Sequence, residues 1–189
     1  MAQVGLGTGP QSPRVLVCSL GPGFDDLLRQ DSSTYSRHYS RVEVCAFGSV
    51  SDLRRAIVAG YEVVHLVCTT VAGGFLETGA DRISGTQLIA ECCECGTKLL
   101  WVAGENAPDE YVRGFGASGR RINLVMTINR AGPGFGRFLD RLLFLLARGS
   151  QVPAAWLALV PQRPRSLHSD LPGCIFFAGW ADAVLIDRL

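Results

Sequence analysis

Five short apolar runs recur along the chain, separated by polar, glycine-punctuated intervals. They are Arg14–Ser19 (RVLVCS), Val42–Ala46 (VEVCA), Val63–Cys68 (VVHLVC), Lys98–Ala103 (KLLWVA) and Asn123–Ile128 (NLVMTI). All five read as strands, Arg14–Ser19 as a buried one and Val63–Cys68 as one buried on both faces. The intervals carry helix signals. Gly21-Pro22-Gly23 turns the chain into a short helix over Phe24–Arg29. Ser49-Val50-Ser51-Asp52 and Ser84-Gly85-Thr86-Gln87 read as capping boxes. Leu53, Ile57 and Val58 follow the first on one helical face, and Leu88, Ile89 and Cys92 follow the second, with Gly60 and Gly96 as stops. Phe135–Arg148 shows the clearest helical periodicity, with Phe138, Leu139, Leu142, Leu143, Leu145 and Leu146 forming a broad apolar face before Gly149. Pro153 opens a further helix to Val160, and Pro108 precedes a short one over Asp109–Phe115.

The remaining intervals predict irregular structure. Gln30–Arg41 is polar, with four serines, and reads as a loop. Gly73–Ile83 is irregular, and the motif FLETGADRISG that begins within it at Phe75 reads as a short hairpin or lid. Pro161–Pro172 is a proline-punctuated loop, and Cys174–Ala178 and Ala183–Ile186 read as short terminal strands. Strands alternating with helices over short links predict an α/β domain with a mostly parallel sheet flanked by helices.

Composition narrows this picture. A chain of 189 residues, 48% hydrophobic, suits one domain over 13–189, with the Gly/Ser/Gln-rich first 12 residues as a loose tail. A net charge of +1 with scattered arginines argues against a nucleic-acid partner. No apolar run is long enough to cross a membrane. The seven cysteines lack paired spacing and no basic, apolar leader precedes them. They read as reduced thiols of a cytoplasmic protein.

Candidate chemistry belongs at the carboxyl ends of the strands, where open parallel sheets bind ligands. Polar residues gather there: Thr69 and Thr70 after the third strand, Glu105 and Asn106 after the fourth, Thr127, Asn129 and Arg130 at the end of the fifth. They read as a rim able to hold a small polar ligand, with Arg130 as the anion contact. Glu105 is also placed to act as a general base, though no second carboxylate stands at a telling spacing. The Gly-Pro-Gly turn does not read as a phosphate loop, because Asp26 occupies the place of the third glycine. Cys92, Cys93 and Cys95 form one cluster on a predicted helix, not the two spaced pairs a structural zinc takes, so neither metal nor cofactor is expected. His65 reads as a core histidine bonded to a neighbouring carbonyl or hydroxyl. Cys68, three residues on, falls on the opposite face of the strand.

The order of these segments resembles the CHAT domain, a branch of the caspase and separase clan. That family carries a strand of "GYDVVHFATHG" type, ending in its catalytic histidine, and here Gly60–Thr70 reads GYEVVHLVCTT. Its later "VVLSACxT" strand bears the nucleophilic cysteine, and Leu99–Asn106 reads LLWVAGEN. Asn123–Ala158 follows the strand-and-helix plan beyond. The resemblance covers Arg14–Val160 and implies a three-layer caspase-like fold. It places His65 at the family's structural histidine, Thr69 at the catalytic histidine, and Gly104, or Glu105 if the register slips by one, at the nucleophile. A thiol peptidase needs a thiolate and a base in reach of each other, and this pair supplies neither. The resemblance therefore implies a pseudo-peptidase that binds a protein partner or senses a signal within a prokaryotic signalling or defence system. It also implies a homodimer paired through the C-terminal strand. Two alternatives stay open: a binder or scavenger of a nucleotide-like small molecule at the strand ends, and a cysteine peptidase with a displaced dyad.

Overall fold

A computed structural model describes residues 12–71, 74–79, 81–104, 111, 115, 121–130, 134–160 and 173–187. The expected tail over 1–12 lies outside them except for Ser12, as do most of the helix expected over Asp109–Phe115 and the whole Pro161–Pro172 loop.

The described elements run β1 (Val15–Leu20), α1 (Asp25–Ser36), β2 (Val42–Phe47), α2 (Val50–Val58), β3 (Val63–Val67), β4 (Phe75–Thr78), β5 (Asp81–Ser84), α3 (Gly85–Glu94), β6 (Leu99–Ala103), β7 (Asn123–Asn129), α4 (Gly134–Ala147), α5 (Val152–Leu159) and β8 (Gly173–Ala178). Six strands form one sheet in the order β2-β1-β3-β6-β7-β8. All neighbours are parallel except β8, which runs antiparallel to β7. The fold is thus an α/β domain with a mostly parallel central sheet between helical layers. β1, β3 and β6 are buried along their whole length, as their unbroken apolar runs require.

Side chains alternate across the sheet, which splits the core in two. One cluster joins Val15, Val17, Val63, Val67, Leu99, Trp101 and Val125 to Tyr35 of α1 and to the apolar faces of α4 and α5. The other joins Leu16, Cys18, Val64, Leu66, Leu100 and Val102 to α2, α3 and the β4–β5 hairpin. His65 lies between Val63 and Val67 in sequence, so it points into the first layer, towards α1.

The helix boundaries follow local chemistry. The Ser49 side chain accepts from the Asp52 backbone at the start of α2. Ser84 and Gln87 close a reciprocal capping box on α3. Pro153 sits in the first turn of α5. Gly60, Gly96 and Gly149 end their helices with positive φ.

Three expectations are corrected. Gln30–Arg41 is not a loop, because α1 continues through Ser36 and buries Leu28, Asp31, Thr34 and Tyr35. Val58 does not share the buried face of Leu53 and Ile57; it is 73% exposed. β2, expected as a strand, is an edge strand whose Glu43, Val44 and Ala46 face solvent. Ala183–Ile186 is no strand: Ala183 and Leu185 are buried, but the backbone makes only an isolated bridge, Val184 to Gln151. The FLETGADRISG segment does form a hairpin, with Glu77 opposite Arg82. No helix among the described residues is long and apolar enough to cross a membrane.

Candidate functional site

The sheet order brings the carboxyl ends of β3 and β6 side by side, since Val67 is in register with Ala103. The next residue pair is Cys68 and Gly104. The Cys68 N–H donates to the Ala103 carbonyl at 2.9 Å, which draws the two backbones together just past the strands. Gly104 has φ +134°, and a Cβ built on it would lie 2.0 Å from the Cys68 carbonyl oxygen. No side chain fits there without moving the backbone. Thr69 is exposed beside this contact and Thr70 is half-buried. Glu105 and Asn106 lie outside the described residues, as does the side chain of Asn129.

Arg130, the anion contact of the sequence reading, is engaged within the protein. Its Nη1 donates to Asp31 Oδ2 at 2.8 Å and its Nη2 to Asp31 Oδ1 at 2.5 Å. Its guanidinium carbon stands 4.0 Å from the centre of the Phe135 ring. The side chain is 10% exposed.

Asp31 also receives His65. The imidazole Nε2 is 2.8 Å from Asp31 Oδ2, and Nδ1 is 3.2 Å from the Tyr35 hydroxyl. An ionised carboxylate only accepts. Nε2 therefore carries the proton and donates, and in the neutral ring Nδ1 is left to accept from the Tyr35 O–H. The result is a continuous chain, Tyr35–His65–Asp31–Arg130, from α1 to β3, back to α1 and on to the residue after β7. Burial pushes the Asp31 carboxyl up, but the hydrogen bonds from His65 and Arg130, with the guanidinium charge, outweigh it and hold the group below the usual carboxylate value. Burial, with the nearby Tyr39 and Asp31, pushes the Tyr35 hydroxyl far up, so it stays a donor. His65 is fully buried and its ring packs against Tyr35 and Trp101. It has the hydroxyl partner the sequence suggested, and a carboxylate partner the sequence did not.

The cysteines stand apart from this imidazole. Cys18 and Cys45 are register partners, and with Cys68 they lie on the α2/α3 side of the sheet, away from His65. Burial raises the thiols of Cys18, Cys68 and Cys92. Cys174 lies on the His65 side, where its sulfur is 3.6 Å from Thr127 Oγ1, which also accepts from Trp101 Nε1 at 2.9 Å. Burial pushes the Cys174 thiol up to about 11, with Thr127 and Arg130 pulling the other way. A raised thiol is a poor source of thiolate at neutral pH. Cys92, Cys93 and Cys95 do not converge, and no group of three or more His, Cys, Asp or Glu among the described residues is arranged to hold a metal ion.

Sequence reasoning missed Asp31 and Tyr35. Their signal was the spacing of Leu28, Asp31 and Tyr35 on one helical face, beneath a buried histidine that needed partners. No protein-family model matches the chain, and no curated protein matches it.

Proposed function

We propose that the chain is a non-catalytic α/β module that acts by binding a protein partner through the carboxyl ends of its strands. This is the role that the CHAT resemblance implies. The observation that carries the reading is the Gly104–Cys68 contact. Where the resembling family places its nucleophile, this backbone has no room for a side chain. Where that family places its base, Thr69 offers only a hydroxyl, and threonine does not accept a proton at neutral pH. Among the described residues, the histidine of β3, His65, is committed to Tyr35 and Asp31.

Binding to a protein rather than a small anion is favoured by what is exposed. Val71 and Ile128 are 39% and 40% exposed close to the tips of β3 and β7. An anionic ligand would have to displace Asp31 from Arg130, an exchange of one buried charged pair for another. Service in a prokaryotic signalling or defence assembly, in the cytoplasm, and pairing through β8 belong to the same proposal.

The test is hydrolysis of a broad peptide library by the full chain, read by mass spectrometry with and without thiol alkylation. No alkylation-sensitive cleavage is expected. Cleavage that stops when the cysteines are alkylated would sink the proposal in favour of a displaced-dyad peptidase.

A further inference from the structure

A second polar group lies at the opposite end of the first helical layer. His38 follows the last turn of α1, where its backbone N–H and that of Tyr39 donate to the Tyr35 carbonyl at 3.0 and 2.9 Å. Its ring touches α4, with Nε2 2.8 Å from Asp140 Oδ1, and lines a cleft of about 230 Å³. Asp140, Arg141, Phe144 and Leu145 of α4, His38, and Leu159 from the end of α5 line this cleft. The volume is below the roughly 300–1,000 Å³ of sites for drug-sized molecules, so an occupant would be small.

The charges around the cleft do not cancel. Asp140 is engaged locally through one oxygen, Oδ1, with His38 Nε2 at 2.8 Å and Arg37 Nη2 at 3.4 Å. Arg148 lies over the Phe144 ring at 4.3 Å. Arg141 lines the cleft without an ion-pair partner among the described residues. Positive charge is therefore in excess beside an aromatic ring that is 44% exposed. Guanidinium forks match planar oxyanions, and the ring and two leucines offer cover to a compact apolar body.

We propose that this cleft binds a small organic oxyanion with a compact apolar body, an aromatic carboxylate being the simplest form. Arg141 takes the anionic end, and Phe144 with Leu159 takes the apolar end. Asp140 holds the His38 ring against the side of the cleft. The site is separate from the strand tips and does not depend on the reading given above for them.

The test is a titration of the full chain at low salt, followed by backbone-amide NMR, with benzoate, phenyl phosphate and the neutral benzyl alcohol. The expected result is saturable binding of at least one anion, in the range of about 1 mM, with shifts centred on residues 38 and 140–145. Arg141→Ala, a change at an exposed position, weakens that binding about tenfold or more. Phe144→Ser, also at an exposed position, weakens it independently. The relative strength of the two anions identifies the preferred head group. Absence of saturable binding by either anion, equal binding of benzyl alcohol, or unchanged affinity in both variants would overturn the proposal.

Discussion

Arg130 at the end of β7 grips Asp31 in the middle of α1 with both arms of its guanidinium, at 2.8 and 2.5 Å. These residues are 99 positions apart, and they tie the outer helix to the sheet on the side where the candidate site lies. Removing one partner leaves the other charged and buried. Arg130→Met is expected to cost about 3–5 kcal/mol of stability in urea unfolding. The double variant Asp31→Asn/Arg130→Met should be damaged less than the sum of the single changes, by about 0.5–3 kcal/mol. Additive losses would show that the two groups are not coupled.

The same carboxylate sets an acid limit. Asp31 is held below its unfolded value, so its contribution is fully present above about pH 5 and is lost as pH falls through the folded value. Stability measured between pH 6 and 2.5 should therefore decline faster in the wild-type chain than in Asp31→Asn, and the gap between them should close in acid. A constant gap across that range would remove Asp31 from the account.

Gly104 is a steric requirement. Gly104→Ala places a methyl group against the Cys68 carbonyl on a backbone that L-residues rarely adopt. A loss of about 3 kcal/mol or more is expected from strain and displaced backbone together. Gly104→Cys, which restores the residue of the resembling family, should be destabilised as much and gain no peptidase activity. A stable Gly104→Cys variant that cleaves peptides would contradict this geometry.

Thiol access gives a separate check. Cys18, Cys68 and Cys92 are buried, while Cys45, Cys93, Cys95 and Cys174 are partly open. A thiol reagent at pH 8 should label at most these four in the native chain, and all seven in denaturant. Rapid native labelling of Cys18 or Cys68 would mean that the α2/α3 side of the core opens.

The sheet was legible because its central strands are unbroken apolar runs, and α4 because its apolar face repeats at the helical period. What escaped was burial that depends on partners distant in sequence. Gln30, Ser32, Ser33 and Ser36 are the outer face of α1, and they gave Gln30–Arg41 the composition of a loop. Asp31 and Tyr35 on the inner face are tolerated only because His65 and Arg130 meet them there. Val44 shows the converse: its run is as apolar as a central strand, but only the sheet order reveals that it lies at an edge. Thr69 and Gly104 could be singled out from sequence, yet the reason for the glycine, the Cys68 carbonyl, is a contact between chain segments.

The central claim is that no thiol works with His65. The most direct test is to incubate the full chain with a peptidyl acyloxymethyl ketone, an electrophile that traps nucleophilic cysteines, and read the intact mass over time. The account predicts labelling no faster than that of a simple thiol, and the same rate in His65→Gln. Rapid stoichiometric labelling of one cysteine that disappears in His65→Gln would contradict it.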